Sequence, residues 1–284
     1  MEHIDLNELL NSAIYFGASL VLIFLGRVVY KLFHPKLNTR AELLEKDNFA
    51  FSISYVGYFI GLILAIGSAL LGGENDLLED NLLAILVYGL GAIFLLNLSQ
   101  IINEFIVFNK FKVKKEILED QNAGIGIIEA ASYIATGLII MGASKGAEEN
   151  LMVLAYWGIA QIALILSSFV YNLITPYDIH TEIEKDNVAV GLGYAGSFVA
   201  ISIVLSYAIS FSHDSFLEAI VTAGILFVLA LIALPITRLI TDKLILAGYD
   251  LKTELVEQTK PNVGCGLIEA IAYISTALLI TWCF

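Results

Sequence analysis

Four apolar segments of this chain begin with the same short pattern. An asparagine opens each segment, Ala or Gly follows two residues later, and Ser or Gly follows four residues later. A charged stretch that contains a glutamate precedes each of them. The four are Asn48, Asn122, Asn187 and Asn262. A long period carried by apolar runs is typical of an internally duplicated membrane unit.

Eight apolar runs are long enough to cross a hydrocarbon core about 30 Å thick. Hydrophobic residues make up 58% of the 284 residues and charged residues only 15%, a composition unlike that of soluble domains. Lipid offers no partners to the backbone, so we expect each run to be helical. The runs cover residues 12–33, 49–71, 81–107, 123–143, 151–174, 188–211, 216–240 and 262–284.

The four copies alternate between two kinds. Seven residues after the asparagine, the first and third copies carry a tyrosine, whereas the second and fourth carry a glutamate. The sequence therefore predicts an all-α integral membrane protein of eight transmembrane helices. These helices form two parallel four-helix repeats, residues 1–145 and 146–284, related by a pseudo-twofold axis along the membrane normal.

The basic residues predict the orientation in the membrane. Fourteen of the 15 lysines and arginines fall on one side of the predicted helices, and Lys145 falls on the other. Basic residues collect on the cytoplasmic side, so we expect a multi-pass protein of the bacterial cytoplasmic (inner) membrane with both termini outside. The net charge of −13 argues against nucleic acid as a partner and leaves the lipid bilayer as the expected one.

Each glutamate-bearing segment carries a polar stripe. Steps of four and three residues place Glu129, Tyr133 and Thr136 on one face of a helix. The same spacing recurs in the second half. A carboxylate inside a membrane is costly and usually faces protein or a water-filled cavity, so it is a functional hypothesis in itself. The equivalent residues are Glu269, Tyr273 and Thr276.

Three interpretations of the stripe remain open. It could line a path for protons or small cations, or it could dock a partner membrane protein or a lipid headgroup. It could also be a polar seam that joins the halves, with each glutamate protonated or hydrogen-bonded between helices. Glutamates that face each other across the axis would share a proton. The candidate partners of the glutamates are Tyr55, Tyr194, Arg27 and Arg238.

Two other sets of polar residues each allow two interpretations. The four asparagines could cap the helices that they precede, or could form a ring of amides around a cytoplasmic entrance. Arg27 and Arg238 could extend to the membrane surface or pair with an intramembrane glutamate.

The sequence contains no pattern typical of catalysis. We find no plausible nucleophile–base pair and no phosphate-binding loop, and the four histidines, His213 among them, are widely separated. Cys265 and Cys283 lie on one predicted helix with no metal-binding spacing. We therefore expect no enzyme, no catalytic residue, no metal and no cofactor.

The two tandem units resemble a bacterial family. The openings around Asp47-Asn48 and Asp186-Asn187, together with the glutamate tracts, are similar to those of the YjfL-like inner-membrane proteins, which carry the domain of unknown function 350. The resemblance implies a polytopic cytoplasmic-membrane protein and no particular activity. It also implies an association with phage-shock-type proteins, which bind stressed membranes.

Two functional hypotheses follow from these observations. In the first, the protein binds or conducts protons or small cations along the glutamate stripe, which requires a hydrated cavity. In the second, it is a membrane anchor or sensor that recruits cytoplasmic envelope-stress proteins. Recruitment would require exposed apolar residues in the cytoplasmic links, such as Leu43, Leu44, Ile117 and Leu118. The sequence does not specify an oligomeric state.

Overall fold

The computed structural model describes residues 6–70, 78–110, 112–147, 149–211 and 215–284, so residues 1–5 and His213 lie outside it. Within these ranges, eight helices are long and apolar enough to cross a membrane, which confirms the predicted all-α membrane fold. The helices are α1 (Leu6–Phe33), α2 (Phe49–Leu70), α3 (Leu78–Ile106), α4 (Ala123–Gly146), α5 (Asn150–Ile174), α6 (Val188–Ile209), α7 (Phe216–Ile240) and α8 (Val263–Cys283).

The helix bounds differ from the apolar runs mainly at one end. Helices α1 and α3 begin at Leu6 and Leu78, earlier than expected, because the helix continues into polar residues beyond the apolar run. Helix α7 continues into a π-helical turn, Thr241–Ile245. We call α1–α4 the first half and α5–α8 the second half.

Four links connect successive helices on one side of the protein, which we call the link side. They span residues 34–48, 107–122, 175–187 and 246–262. Each contains one short helical turn: Ala41–Glu45, Val113–Leu118, Ile179–Glu184 and Thr253–Glu257, respectively.

In the first three links, the residue directly before the asparagine has a left-handed backbone conformation. Asp47, Gln121 and Asp186 have φ angles of 50°, 53° and 58°. The fourth link has Pro261 at this position, and the proline ring excludes a positive φ. The fourth link therefore reaches its asparagine by a different backbone path.

The four asparagine-led helices lie side by side in a row. Helix α4 packs between α2 and α6, and α6 packs between α4 and α8, so that α4 and α6 are the most buried of the eight. Helices α1, α3, α5 and α7 contact one another in that order and pack against the row. The core therefore lies between two rows of helices, with the asparagine-led helices forming the tighter one.

Small residues bring the helices of this row into close contact, and the same contact occurs three times. In each, the glycine four residues after one asparagine lies against the backbone two residues after the preceding asparagine. A side chain at the glycine would collide with that backbone or press tightly against it, as expected for close helix packing in membranes. The pairs are Gly126 with Ala50, Gly191 with Gly124, and Gly266 with Ala189.

Candidate functional site

Glu129 lies inside the first half, where two neutral side chains bind it. Only 7% of the residue is exposed. Ser54 of α2 donates a hydrogen bond to one carboxylate oxygen, and Nε2 of Gln100 in α3 donates to the other at 3.0 Å. The carboxylate is therefore fixed from two helices, and neither of these contacts supplies a positive charge.

A cavity of about 210 Å³ connects Glu129 with the link side. Lys114, which is exposed, and Glu104, which is half-buried, lie at its outer end, and Glu129 and Tyr133 line its inner part. Amides and aromatic rings form much of the remaining wall: Tyr30, Phe33, His34, Phe51, Asn97 and Gln100.

His34 marks the outer end of the cavity just beyond α1. Its ring stacks on Tyr30 with 4.3 Å between the centroids, and its Nδ1 donates to the Tyr30 carbonyl at 2.9 Å. Burial lowers the pKa of His34, and the positive charge of Lys114 lowers it further. A neutral imidazole is therefore favoured at this position.

Glu269 has a different environment in the second half. It is completely buried, and Arg238 of α7 forms an ion pair with its Oε1. The Tyr273 hydroxyl donates to the same oxygen at 2.9 Å. The ring of Tyr177 lies 5.5 Å from the Arg238 guanidinium carbon, within the range of a cation–π contact. The second half therefore supplies its own cation to its buried carboxylate.

Gln100 and Arg238 are the partners that the third helix of each half offers to the repeated glutamate. Each lies near the link-side end of that helix, and each donates to one carboxylate oxygen. The two halves therefore share a carboxylate but differ in the charge of its partner.

The other stripe residues are also buried or half-buried. Tyr133 packs edge-to-face on Tyr58 with ring centroids 5.2 Å apart. Thr136 is buried, and its hydroxyl has no hydrogen-bond partner among the described residues. Thr276 shares a hydrogen bond of 2.9 Å with Thr237 of α7. Beyond Tyr133, the stripe in the first half is therefore closely packed.

Three of the four expected glutamate partners bind elsewhere. Arg27 lies beside Tyr55, and Tyr194 contacts Ser168, so the contacts expected between these residues and the glutamates are wrong. Arg238 is the candidate that contacts a glutamate. Glu129 and Glu269 do not face each other, because α6 separates α4 from α8, so the hypothesis of a shared proton does not apply. Each carboxylate bonds within its own half.

The asparagines cap their helices and also tie successive units together. In each case Oδ1 accepts a hydrogen bond from the backbone N–H three residues later. The ring of amides is wrong, because the helices they cap form a row. The side-chain amides of Asn48, Asn122 and Asn187 donate, each at 2.8 Å, to a carbonyl in the next link, from Ile117, Ile183 and Leu255, respectively.

A buried polar network was not expected from the sequence. The Ser132 hydroxyl donates to Gln100 at 3.2 Å, and Asn103 donates to Ser132 at 2.7 Å. Gln161 of α5 donates to Asn103 at 2.6 Å. Glu129 is thereby connected to the second half through a chain of amides and a hydroxyl. The sequence signal for this network is the spacing of Asn97, Gln100 and Glu104 in α3, at steps of three and four residues, which places them on one helix face.

The links bury most of the apolar residues expected to dock a partner. Leu44 is 75% exposed, whereas Ile117 is 3% exposed, and Leu43 and Leu118 are half-buried. Tyr177, in the third link, covers Arg238, and burial raises its pKa well above the ordinary value. The links therefore act mainly as covers for the helix ends.

The fold and its buried carboxylates define a multi-pass membrane protein made of two copies of one four-helix unit. The chain belongs to the family described as Domain of Unknown Function (DUF350), whose model matches twice, at residues 3–144 and 147–284. This match confirms the resemblance drawn from the repeated motifs.

Two relatives are similar to this chain in sequence. A UPF0719 transmembrane protein of Aquifex aeolicus (strain VF5) is 25% identical over 264 residues, which cover 91% of this chain and 94% of that protein. The UPF0719 transmembrane protein YshE of Bacillus subtilis (strain 168) is 33% identical over 95 residues, which cover 34% of this chain and 70% of that protein. No solved structure matches the chain.

Proposed function

We propose that the first half of this membrane protein binds a proton or a small cation at Glu129, and passes it to and from the link side. The observation that carries this proposal is the difference between the two halves. Arg238 neutralises Glu269, whereas Glu129 has neutral hydrogen-bond donors and faces a cavity. The first half is then the working site, and the second half is a permanently neutralised copy.

The energetics of a buried carboxylate support this assignment. An ionised carboxylate inside a membrane protein is stable only with a counter-charge or with water, and a neutral one must carry a proton. The cavity of about 210 Å³ has room for roughly seven water molecules. Glu129 can therefore exchange its proton, or a bound cation, with water that enters from the link side.

The other lining residues have complementary roles in this proposal. Ser54 and Gln100 hold the carboxylate of Glu129 in place. Glu104 adds a second carboxylate nearer the outer end of the cavity, where it would attract cations from solution. Tyr133 lies one helical turn beyond Glu129, where it would limit further passage.

The orientation completes the proposal. The excess of basic residues on the link side favours placing that side in the cytoplasm of a bacterial cell, with the protein in the inner membrane. The cavity would then open towards the cytoplasm.

Proton binding by the purified protein in nanodiscs tests the proposal. A pH-sensitive dye in weakly buffered solution reports the protons taken up after a pH drop for the wild type, E129Q and the double variant R238Q/E269Q. We expect E129Q to take up about one proton fewer per molecule than the wild type, because its buried side chain no longer titrates. The double variant removes the same number of carboxylates from the other half and should keep the wild-type uptake. Equal uptake in E129Q and the wild type would overturn the proposal.

Recruitment of soluble envelope-stress proteins has weaker support. Of the four aliphatic link residues considered, only Leu44 is fully exposed, and one exposed leucine is a small docking surface. The substitution L44E would abolish such recruitment without changing proton uptake, and a pull-down with cytoplasmic extract measures it.

A further inference from the structure

The second half contains a guanidinium group bound in a buried site, namely that of its own Arg238. Glu269 forms an ion pair with this group, Tyr177 lies against its face, and Tyr273 shares the carboxylate oxygen. Aromatic rings and a carboxylate are the usual partners of a guanidinium. The second half therefore shows that this fold can enclose a guanidinium group next to the repeated glutamate.

The first half repeats this site without the arginine. Tyr133 follows Glu129 by four residues, as Tyr273 follows Glu269. The third-helix partner of Glu129 is Gln100, which is shorter than arginine and neutral, and the cavity lies beside it.

The tyrosine pairs behind the two sites also match. The ring centroids of Tyr30 and Tyr55 are 5.2 Å apart, and those of Tyr171 and Tyr194 are 5.4 Å apart. The first half therefore keeps the carboxylate, the tyrosine that follows it and this tyrosine pair, but supplies no guanidinium to the carboxylate.

The wall of the cavity suits an organic cation. It combines two carboxylates, Glu104 and Glu129, with the aromatic side chains of Tyr30, Phe51 and Tyr133, and its lysine, Lys114, lies at the outer end, away from Glu129. Aromatic faces attract guanidinium and alkylammonium ions, whereas Ca²⁺ and Mg²⁺ take shells of oxygen ligands. The mixed lining thus favours a flat or alkylated nitrogen cation over a metal ion.

We infer that the Glu129 cavity binds a guanidinium-type organic cation, at the place that corresponds to the Arg238 guanidinium in the second half. This inference rests on the proposed function and names the class of cation. Gln100 lies beside this site, so an arginine at its position would place a guanidinium of the protein itself next to Glu129.

Ligand binding to the purified protein in nanodiscs tests the inference. The probes are guanidinium, methylguanidinium, tetramethylammonium and K⁺ at millimolar concentrations, with urea as a neutral molecule of similar shape. Calorimetry should detect saturable binding of guanidinium and no binding of urea. The affinity for K⁺ should be at least about tenfold weaker.

Three variants locate the site. E129Q and Q100R should each lose guanidinium binding, the first by removing the carboxylate and the second by supplying a competing guanidinium. R238Q/E269Q should retain it. If Q100R fails to fold, E129Q and the comparison with urea still decide the outcome.

Two results would overturn the inference: guanidinium binding that E129Q leaves unchanged, or no preference for guanidinium over K⁺. The proton-uptake assay separates this failure from failure of the proposed function. Uptake that depends on Glu129, without guanidinium binding, would refute the guanidinium site and leave the proposed function intact. Uptake independent of Glu129 would refute the proposed function itself.

Discussion

Arg238 forms an ion pair with Glu269 in the interior of the second half, where both side chains are nearly excluded from solvent. Tyr177 covers the arginine from the third link, and Tyr273 adds a hydrogen bond to the glutamate. The pair therefore joins α7 to α8, and each charge is neutralised by the other.

Removal of one member of this pair should be more harmful than removal of both. E269Q leaves a buried guanidinium without its carboxylate, and breaking a buried pair in this way costs about 3–5 kcal/mol. R238Q/E269Q removes both charges and should cost less. Thermal unfolding in detergent measures the difference. Equal losses in the single and double variants would contradict a stabilising role of the pair.

The substitution Q100R should convert the first half into a copy of the second. The new guanidinium can reach Glu129 because Gln100 already donates to that carboxylate. We expect proton uptake to fall to the E129Q level while the protein keeps its fold. The matched control is Q100M, which has similar length and no charge. Proton uptake by Q100R equal to that of the wild type would show that a guanidinium at this position does not neutralise Glu129.

The asparagines should differ in their contribution to stability according to their place in the row. Alanine at Asn122 or Asn187 removes a helix cap, a bond to a glutamate of its own link and a bond to the next link, for a total of about 2 kcal/mol. Alanine at Asn262 removes the cap and a bond to Glu254 at the surface, and should cost about 1 kcal/mol. Free energies of unfolding in mixed micelles measure this order. A larger loss for N262A than for N122A would contradict it.

The close contacts of the row should make its glycines sensitive to a single methyl group. G126A would place a Cβ against the Ala50 backbone and should destabilise by about 1–3 kcal/mol. Gly91 of α3 has nothing within 4 Å of an added Cβ, so G91A is the control and should be neutral or slightly stabilising. The same unfolding assay compares them. Tolerance of G126A would mean that the two helices can separate without loss.

Acidification should lower the stability of the protein because His34 becomes protonated. Burial holds the pKa of His34 below its ordinary value of 6.5, so the unfolded chain takes up a proton before the folded protein does. The stabilisation is complete above pH 6.5 and is lost as the pH falls through the folded pKa. The melting temperature should therefore drop less between pH 7 and pH 5 in H34Q than in the wild type. An identical drop would exclude His34 as the cause.

The sequence predicted the membrane fold and the repeats because both depend on local patterns. Apolar runs of sufficient length specify spans, and the repeated asparagine motif specifies copies. It also directed attention to Glu129 and Glu269, since a carboxylate in such a run is conspicuous. The sequence did not predict the environments of the two glutamates, because the neighbours that distinguish them, Gln100 and Arg238, lie on other helices.

The arrangement of the asparagine-led helices could not be derived from periodicity. A repeat that crosses the membrane twice is compatible with a ring or with a row, and only the contacts between glycines and neighbouring backbones distinguish them. Gly126 against Ala50 is such a contact. The hydrogen bond between Gln161 and Asn103 likewise depends on α5 lying next to α3. The order of helices in the bundle cannot be inferred from one sequence.

The hydrogen bonds from each asparagine to the next link have a consequence for biosynthesis. Asn48, Asn122 and Asn187 bind carbonyls that lie 69, 61 and 68 residues further along the chain. A ribosome delivers those carbonyls only after the capped helix has been made, so each hairpin stays incomplete until its successor is inserted. The amide of Asn262 instead binds Glu254 of its own link, so this contact can form as soon as the fourth link and the start of α8 are in place.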